Sequence, residues 1–136
     1  MYSFNYNYRV RYADTDQMGY LYYGNYAKLY EIGRVETIRS LGFTYKEFET
    51  RLGIMLPVVS LESRFLKPAF YDDLLTIETK IKDFPTKMIA FECNIYNDKR
   101  ELLNTGLIKL FFVNMKTNKR VSAPEDFIQK LISYFD

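Results

Sequence analysis

Between Leu75 and Lys82, apolar and polar residues alternate without a break: Leu75, Ile77, Thr79 and Ile81 against Thr76, Glu78, Lys80 and Lys82. Successive side chains of a strand point to opposite faces, so this run reads as a strand with one face on a core and the other in water. Such a strand belongs in an antiparallel sheet, and the apolar face of that sheet must be covered. The cover is visible upstream. From Tyr26 the apolar positions Tyr26, Leu29, Tyr30, Gly33, Ile38 and Leu41 recur at helical spacing. Asn25 stands where an N-cap belongs and Gly42 where a helix stops, so a helix over 25–41, ~25 Å long, is expected. Gly33 in mid-helix costs about 1 kcal/mol against Ala, which points to close approach of this helix to a sheet.

Other segments fill in the order. Residues 3–12 alternate on Phe4, Tyr6, Tyr8, Val10 and Tyr12, a strand pattern. Thr44, with Glu47 three residues on, forms a capping box for a short helix through about Arg51. Strands are expected on Val59, Leu61, Ser63 and Phe65, and again on Ile89, Phe91, Cys93 and Ile95. Asn97-Asp98-Lys99-Arg100 reads as a hairpin turn. Leu102 to Met115 reads as one strand, apolar on both faces at Leu107, Ile108, Leu110, Phe111, Phe112 and Val113, and therefore central or at an interface. Glu125–Tyr134 fits a terminal helix. Strand, long helix, about four antiparallel strands and a final helix make an α+β layer. The length of 136 residues suits a single domain over 1–136. The doubly apolar strand leads us to expect self-association.

Composition removes whole classes of chemistry. The chain has no histidine, which excludes Ser-His-Asp and Cys-His machinery, histidine metal sites and imidazole acid–base catalysis. One cysteine, Cys93, excludes an intrachain disulfide and a Cys-rich zinc site, and its apolar surroundings predict a buried, inert thiol. Nineteen basic against 17 acidic residues leave a net charge of +2, too small for bulk electrostatic binding to nucleic acid or a membrane surface. No apolar run reaches the ~18 residues of a membrane span, and the start, Met1–Tyr6, lacks the basic and apolar regions of a leader, so a cytoplasmic protein without membrane insertion is expected. Any catalysis rests on carboxylates, hydroxyls, lysine or backbone amides. Thirteen Tyr and 11 Phe suit half-buried surfaces such as subunit interfaces and ligand tunnels, although codon bias toward A/T also enriches both.

The segment Tyr12-Ala13-Asp14-Thr15-Asp16-Gln17-Met18-Gly19-Tyr20-Leu21-Tyr22-Tyr23-Gly24-Asn25-Tyr26 carries the chemistry. Two carboxylates lie two residues apart in a loop that leads into a helix start. Exposed helix N-terminal amides are ready donors for an oxyanion, and a carboxylate beside them is a minimal acyl-transfer constellation. The same residues can instead shape an Asx-type turn. A calcium loop is a weaker alternative, because its downstream ligand positions hold Tyr, Leu and Gly.

Arg11 through Gly19, then Tyr22-Tyr23-Gly24-Asn25-Tyr26, Tyr30-Glu31-Ile32-Gly33-Arg34-Val35-Glu36 and Lys67-Pro68-Ala69-Phe70-Tyr71-Asp72-Asp73 resemble the hot-dog-fold acyl-CoA thioesterases of the 4-hydroxybenzoyl-CoA thioesterase type, and most closely the bacterial branch found with the Tol–Pal envelope system. The resemblance spans residues 5–115 in outline. It implies a long antiparallel sheet wrapped around a central helix, paired subunits that assemble into a homodimer or homotetramer, and active sites between subunits. It implies hydrolysis of an acyl-CoA without metal or cofactor. Asp16 matches the catalytic carboxylate, and the backbone amide of Tyr23 matches the group that polarises the thioester carbonyl. Asn25 and Tyr26 fall at the substrate, and Lys87 on a loop that meets the CoA phosphates, with Lys67 and Arg64 as weaker candidates. Asp14 is expected to organise the loop, Glu31 and Arg34 to pair on the helix, and Tyr22, Tyr26 and Tyr30 to line an acyl pocket or pack the core. The branch often carries histidine where this chain has Tyr23, so any work of that imidazole is lost here. A non-catalytic binder of acyl-CoA or of an acyl-carrier protein is the rival from another class.

Overall fold

The computed structural model describes residues 1–135; the expected domain span of 1–136 ends one residue beyond them. The strand read from the alternation, β4 (Leu74–Ile81), buries Leu75, Ile77, Thr79 and Ile81 completely. It pairs antiparallel with β1 (Tyr2–Arg9) on one side and β5 (Met88–Tyr96) on the other. The Asn97–Arg100 turn returns the chain as β6 (Leu102–Phe111), and β3 (Val58–Phe65) closes a five-stranded sheet in the order β1-β4-β5-β6-β3. Register aligns Tyr6, Ile77 and Ile95 across three strands, and Thr79, Cys93, Gly106 and Ser63 across four. Those residues share the inner face.

Helix α1 (Tyr26–Ser40) lies on that face, so the α+β expectation holds. The cost of Gly33 has its reason here. A Cβ at Gly33 would come 2.5 Å from Thr79 Oγ1 and 2.8 Å from Ile77 Cγ2. Gly106 answers from the sheet, because a Cβ there would overlap the Tyr30 ring. Tyr30 is fully buried, and its hydroxyl meets the Asn104 amide oxygen and lies 2.6 Å from Ser63 Oγ. Tyr30 thus belongs to the core, not to an open pocket. Cys93 is fully buried as expected, and burial pushes its thiol up to about 11.

The short helix α2 (Tyr45–Thr50) begins as read, with Thr44 Oγ1 accepting the Glu47 amide at 3.0 Å. Several boundaries differ. β1 ends at Arg9, because Tyr12–Asp14 tightens into a single 3-10 turn and leaves Tyr12 exposed. The terminal helix α3 (Glu125–Leu131) finishes in a tighter turn through Tyr134. Arg34 does not pair with Glu31; it is buried and donates from Nε to the Tyr45 hydroxyl at 3.1 Å.

The largest correction concerns Leu102–Met115. After β6 the ladder breaks, and Val113–Asn114 forms β7, paired with β2 (Ile54–Met55) in a separate small ribbon. Phe112 and Val113 are consecutive and both buried because the chain changes sheets between Phe111 and Val113. Phe112 packs toward Phe127 of α3, and the Arg120 guanidinium covers Phe111 at 3.7 Å. The apolar run through Phe112 and Val113 marks a strand break, while β6 itself is central as expected, lying between β5 and β3 and not at the sheet edge. The unpaired apolar edge is β3 instead, where Val58, Val59, Leu61 and Phe65 are each more than 40% exposed. Among the described residues, no helix is long and apolar enough to cross a membrane.

Gly33→Ala tests the helix–sheet approach. Ala is the better helix former by about 1 kcal/mol, yet the added methyl forces α1 off the sheet at a cost of about 1–3 kcal/mol. Urea unfolding should show net destabilisation; an unchanged or higher midpoint would mean the contact is looser than described.

Candidate active site

Residues 10–26 cross from the end of β1 to the first turn of α1, and two carboxylates hold this crossing from opposite sides. Asp14 faces inward and is only 4% exposed. Its Oδ2 accepts the Tyr8 hydroxyl at 2.7 Å and the Arg11 amide at 2.9 Å, while Oδ1 accepts Lys28 Nζ at 2.7 Å. Its backbone carbonyl accepts the Tyr22 amide at 2.9 Å and Asn25 Nδ2 at 2.8 Å. Asp14 is therefore the loop organiser the sequence suggested. Asn25 precedes α1 but caps nothing with its side chain, which is spent on Asp14. Burial alone would raise the Asp14 pKa. Lys28, the Arg11 amide and the Tyr8 hydroxyl outweigh it and hold the carboxyl below the ordinary 3.8.

Asp16 faces outward. Its Oδ1 accepts the amides of Met18 at 2.9 Å and Tyr20 at 3.1 Å, and Gly19, at φ +81°, closes the turn with its amide on the Asp16 carbonyl. This is an Asx-type turn, so that alternative describes the local geometry correctly. It does not exhaust Asp16, because only Oδ1 is engaged. Asp16 also lines a cleft of about 290 Å³ with Tyr20, Leu21, Tyr23, Tyr26 and Phe65.

Tyr23 and Tyr26, at the start of α1, line the same cleft, and the helix is entered through a 3-10 turn at Tyr23–Asn25. The amides of Tyr22 and Asn25 are taken by the Asp14 and Tyr22 carbonyls. Those of Tyr23 and Gly24 have no acceptor among the described residues. A Cβ at Gly24 would lie 2.6 Å from Cε2 of the exposed Tyr22 ring, which would have to turn aside. Tyr26 is buried beneath, its ring edge-on to Phe65 with centroids 5.2 Å apart. Burial and the neighbouring Tyr30 raise its phenol to about 12, so Tyr26 is a neutral group at neutral pH.

Four singled-out residues thus line one cleft: Asp16, Tyr23, Tyr26 and, at its rim, Lys67. Asn25 sits behind it. Within one chain Lys87 is not there; it precedes β5, whose first residue pairs with Phe111, whereas Phe65 pairs with Asn104 near the opposite end of β6. Arg64 faces the outer side of the sheet, and Lys67, on the rim, is engaged with Glu101 at 2.6 Å. Phe65 and Met18 line the cleft without having been singled out. Phe65 could have been found, since its alternation with Ser63 and Leu61 aims it at the inner face. A wider hollow of about 390 Å³ on the outer face, among Glu62, Arg64, Glu92 and Asn94, lacks Asp16 and the helix amides.

Residues 10–131 match the thioesterase-like superfamily. The chain belongs to that superfamily. It has the hot-dog fold, and two relatives agree over nearly its full length. The acyl-CoA thioesterase YbgC of Haemophilus influenzae is 28% identical over 90% of this chain and 90% of its own. The DHNA-CoA thioesterase structure from Staphylococcus aureus is 30% identical, with a TM-score of 0.91 over 98% of this chain and 91% of that one. The YneP protein of Bacillus subtilis is 39% identical over 68% of this chain and 67% of its own. As in any carboxylate with a depressed pKa, the stability that Asp14 gives this thioesterase-like chain is present above the unfolded value and lost as pH falls through the folded one. Asp14→Asn should cost about 2–3 kcal/mol at pH 7. Thermal unfolding should show the gap to wild type closing below about pH 4; a gap that persists to lower pH would show that Asp14 acts without its charge.

Proposed function

We propose that the chain is an acyl-CoA thioester hydrolase, taking R–CO–S–CoA and water to a carboxylic acid and CoA, with Asp16 as the reacting carboxylate. The observation that carries this is a half-tethered carboxylate, Asp16, lining one apolar cleft together with Tyr23, whose helix-start amide is free. Two backbone amides fix Oδ1, so Oδ2 is presented without loss of rotamer freedom when substrate arrives. It acts either as nucleophile, through a mixed anhydride that water then opens, or as general base on water. The amides of Tyr23 and Gly24, at the positive end of α1, stabilise the oxyanion. Tyr20, Tyr26 and Phe65 receive the acyl group. The names of YbgC from Haemophilus influenzae and of the Staphylococcus aureus thioesterase support acyl-CoA as the substrate class.

The site is completed by a second copy. β3 is an edge strand with exposed Val58, Leu61 and Phe65, and a two-fold pairing through it runs the two strands antiparallel. The Val58 end of one subunit then lies beside the Phe65 end of the other. Lys87 stands at the Val58 end, because Val58 pairs with Leu110 and Leu110 with Ile89. Lys87 of the partner subunit thereby approaches the mouth of this cleft, where it serves the CoA phosphates.

Thiol release from acetyl- through palmitoyl- and benzoyl-CoA tests the reaction. Asp16→Asn should keep the fold and lower kcat about a thousandfold. Wild-type rates in that variant would remove Asp16 from the chemistry. Tyr23→Phe keeps the amide, so it should cost less than tenfold, about 1.4 kcal/mol of barrier; a loss near a thousandfold would assign the role to the hydroxyl. Sedimentation should show a dimer or a multiple of one, and Lys87→Ala should raise KM several-fold with kcat little changed. An active monomer would overturn the shared site.

A further inference from the structure

Lys28 is the third residue of α1, at the helix end whose unpaired amides carry partial positive charge and where a cation is disfavoured. The first turn holds no acidic residue of its own. Its counter-charge comes from the loop, as the Asp14 carboxylate 2.7 Å from Lys28 Nζ. Asp14 is thus gripped twice: its side chain binds α1, and its backbone carbonyl binds the Tyr22 amide next to Tyr23. Asp16 follows two residues later, and its amide is held at 2.9 Å by the Tyr20 carbonyl. The other nearby cation does not substitute. Arg11 stacks on the Tyr8 ring at 4.6 Å and gives Nη1 to the Arg9 carbonyl at 2.8 Å.

We propose that Lys28 is a positioning residue for the reaction: by clamping and neutralising Asp14 it holds the Asp16 turn and the free amides of Tyr23 and Gly24 in one frame. This rests on the hydrolase function proposed above. Without the ammonium, the Asp14 carboxylate is a buried anion short of a partner, and it draws the loop toward water. Its charge then also opposes the oxyanion forming at the neighbouring helix start. Both effects fall on the transition state more than on bound substrate, so kcat falls while KM holds.

The test compares Lys28→Met and Lys28→Arg, with Lys28 half exposed so that both variants fold. On the best acyl-CoA of the panel, Lys28→Met should lose about tenfold in kcat with KM within about threefold, and Lys28→Arg should recover to within about threefold of wild type. Amide hydrogen exchange, read without substrate, should be faster at Tyr22 and Asp16 in Lys28→Met and restored in Lys28→Arg. Wild-type kcat in Lys28→Met overturns the proposal, as does a loss confined to KM or a lowered melting temperature with kcat unchanged. A wild-type protein that releases no thiol from any acyl-CoA would instead sink the hydrolase function itself, and the two failures are distinguishable on that control.

Discussion

Helix α1 and the sheet approach so closely that neither Gly33 nor Gly106 has room for a Cβ, and the rest of the molecule is built around that contact. Close approach sets the height of the helix above the strands. That height determines where its first turn emerges, beside the strand end that carries Phe65. The same contact explains the polar chemistry inside. Tyr30 drives its ring against Gly106, and its hydroxyl, unable to reach water, finds Asn104 and Ser63. A buried hydroxyl without partners would cost several kcal/mol, so the three residues act as one unit that keys the helix to β6 and β3.

What was legible in the sequence follows from period. β4 and β5 were readable because one face is buried and the alternation is clean. Helix α1 was readable because its apolar stripe repeats and Gly42 ends it. Leu102–Met115 was misread because periodicity cannot tell a strand buried on both faces from one strand ending where another begins. Phe112 and Val113 are adjacent and buried in either case. The Asn25 cap was misread for a related reason. A side chain that could cap its own helix had a better acceptor in the Asp14 carbonyl, eleven residues away, and only the folded loop brings the two together.

The site was legible in type more than in arrangement. Asp14 and Asp16 are chemically alike and two residues apart, and spacing alone does not divide their labour. The structure divides it by burial. Asp14 has three side-chain donors or amides on its carboxylate and no free face, whereas Asp16 has both partners on Oδ1. The Asx turn and a reactive carboxylate, which stood as competing explanations, are compatible, since the turn occupies Oδ1 and leaves Oδ2 without a partner among the described residues.

The two faces of the sheet also bear on assembly. The outer face is studded with charge, including Lys82–Glu92 at 2.7 Å and Lys80–Glu78 at 3.4 Å, and these groups are solvated or paired rather than ready for desolvation. Stacking two such faces would strip water from many charges for little apolar gain. The β3 edge offers the opposite balance. Pairing there would give its unpaired main-chain groups partners and take the exposed Val58, Leu61 and Phe65 out of water together. In the two-copy assembly proposed above, edge-to-edge pairing would therefore cost less than face-to-face pairing, and it would extend the wall of the cleft instead of covering it.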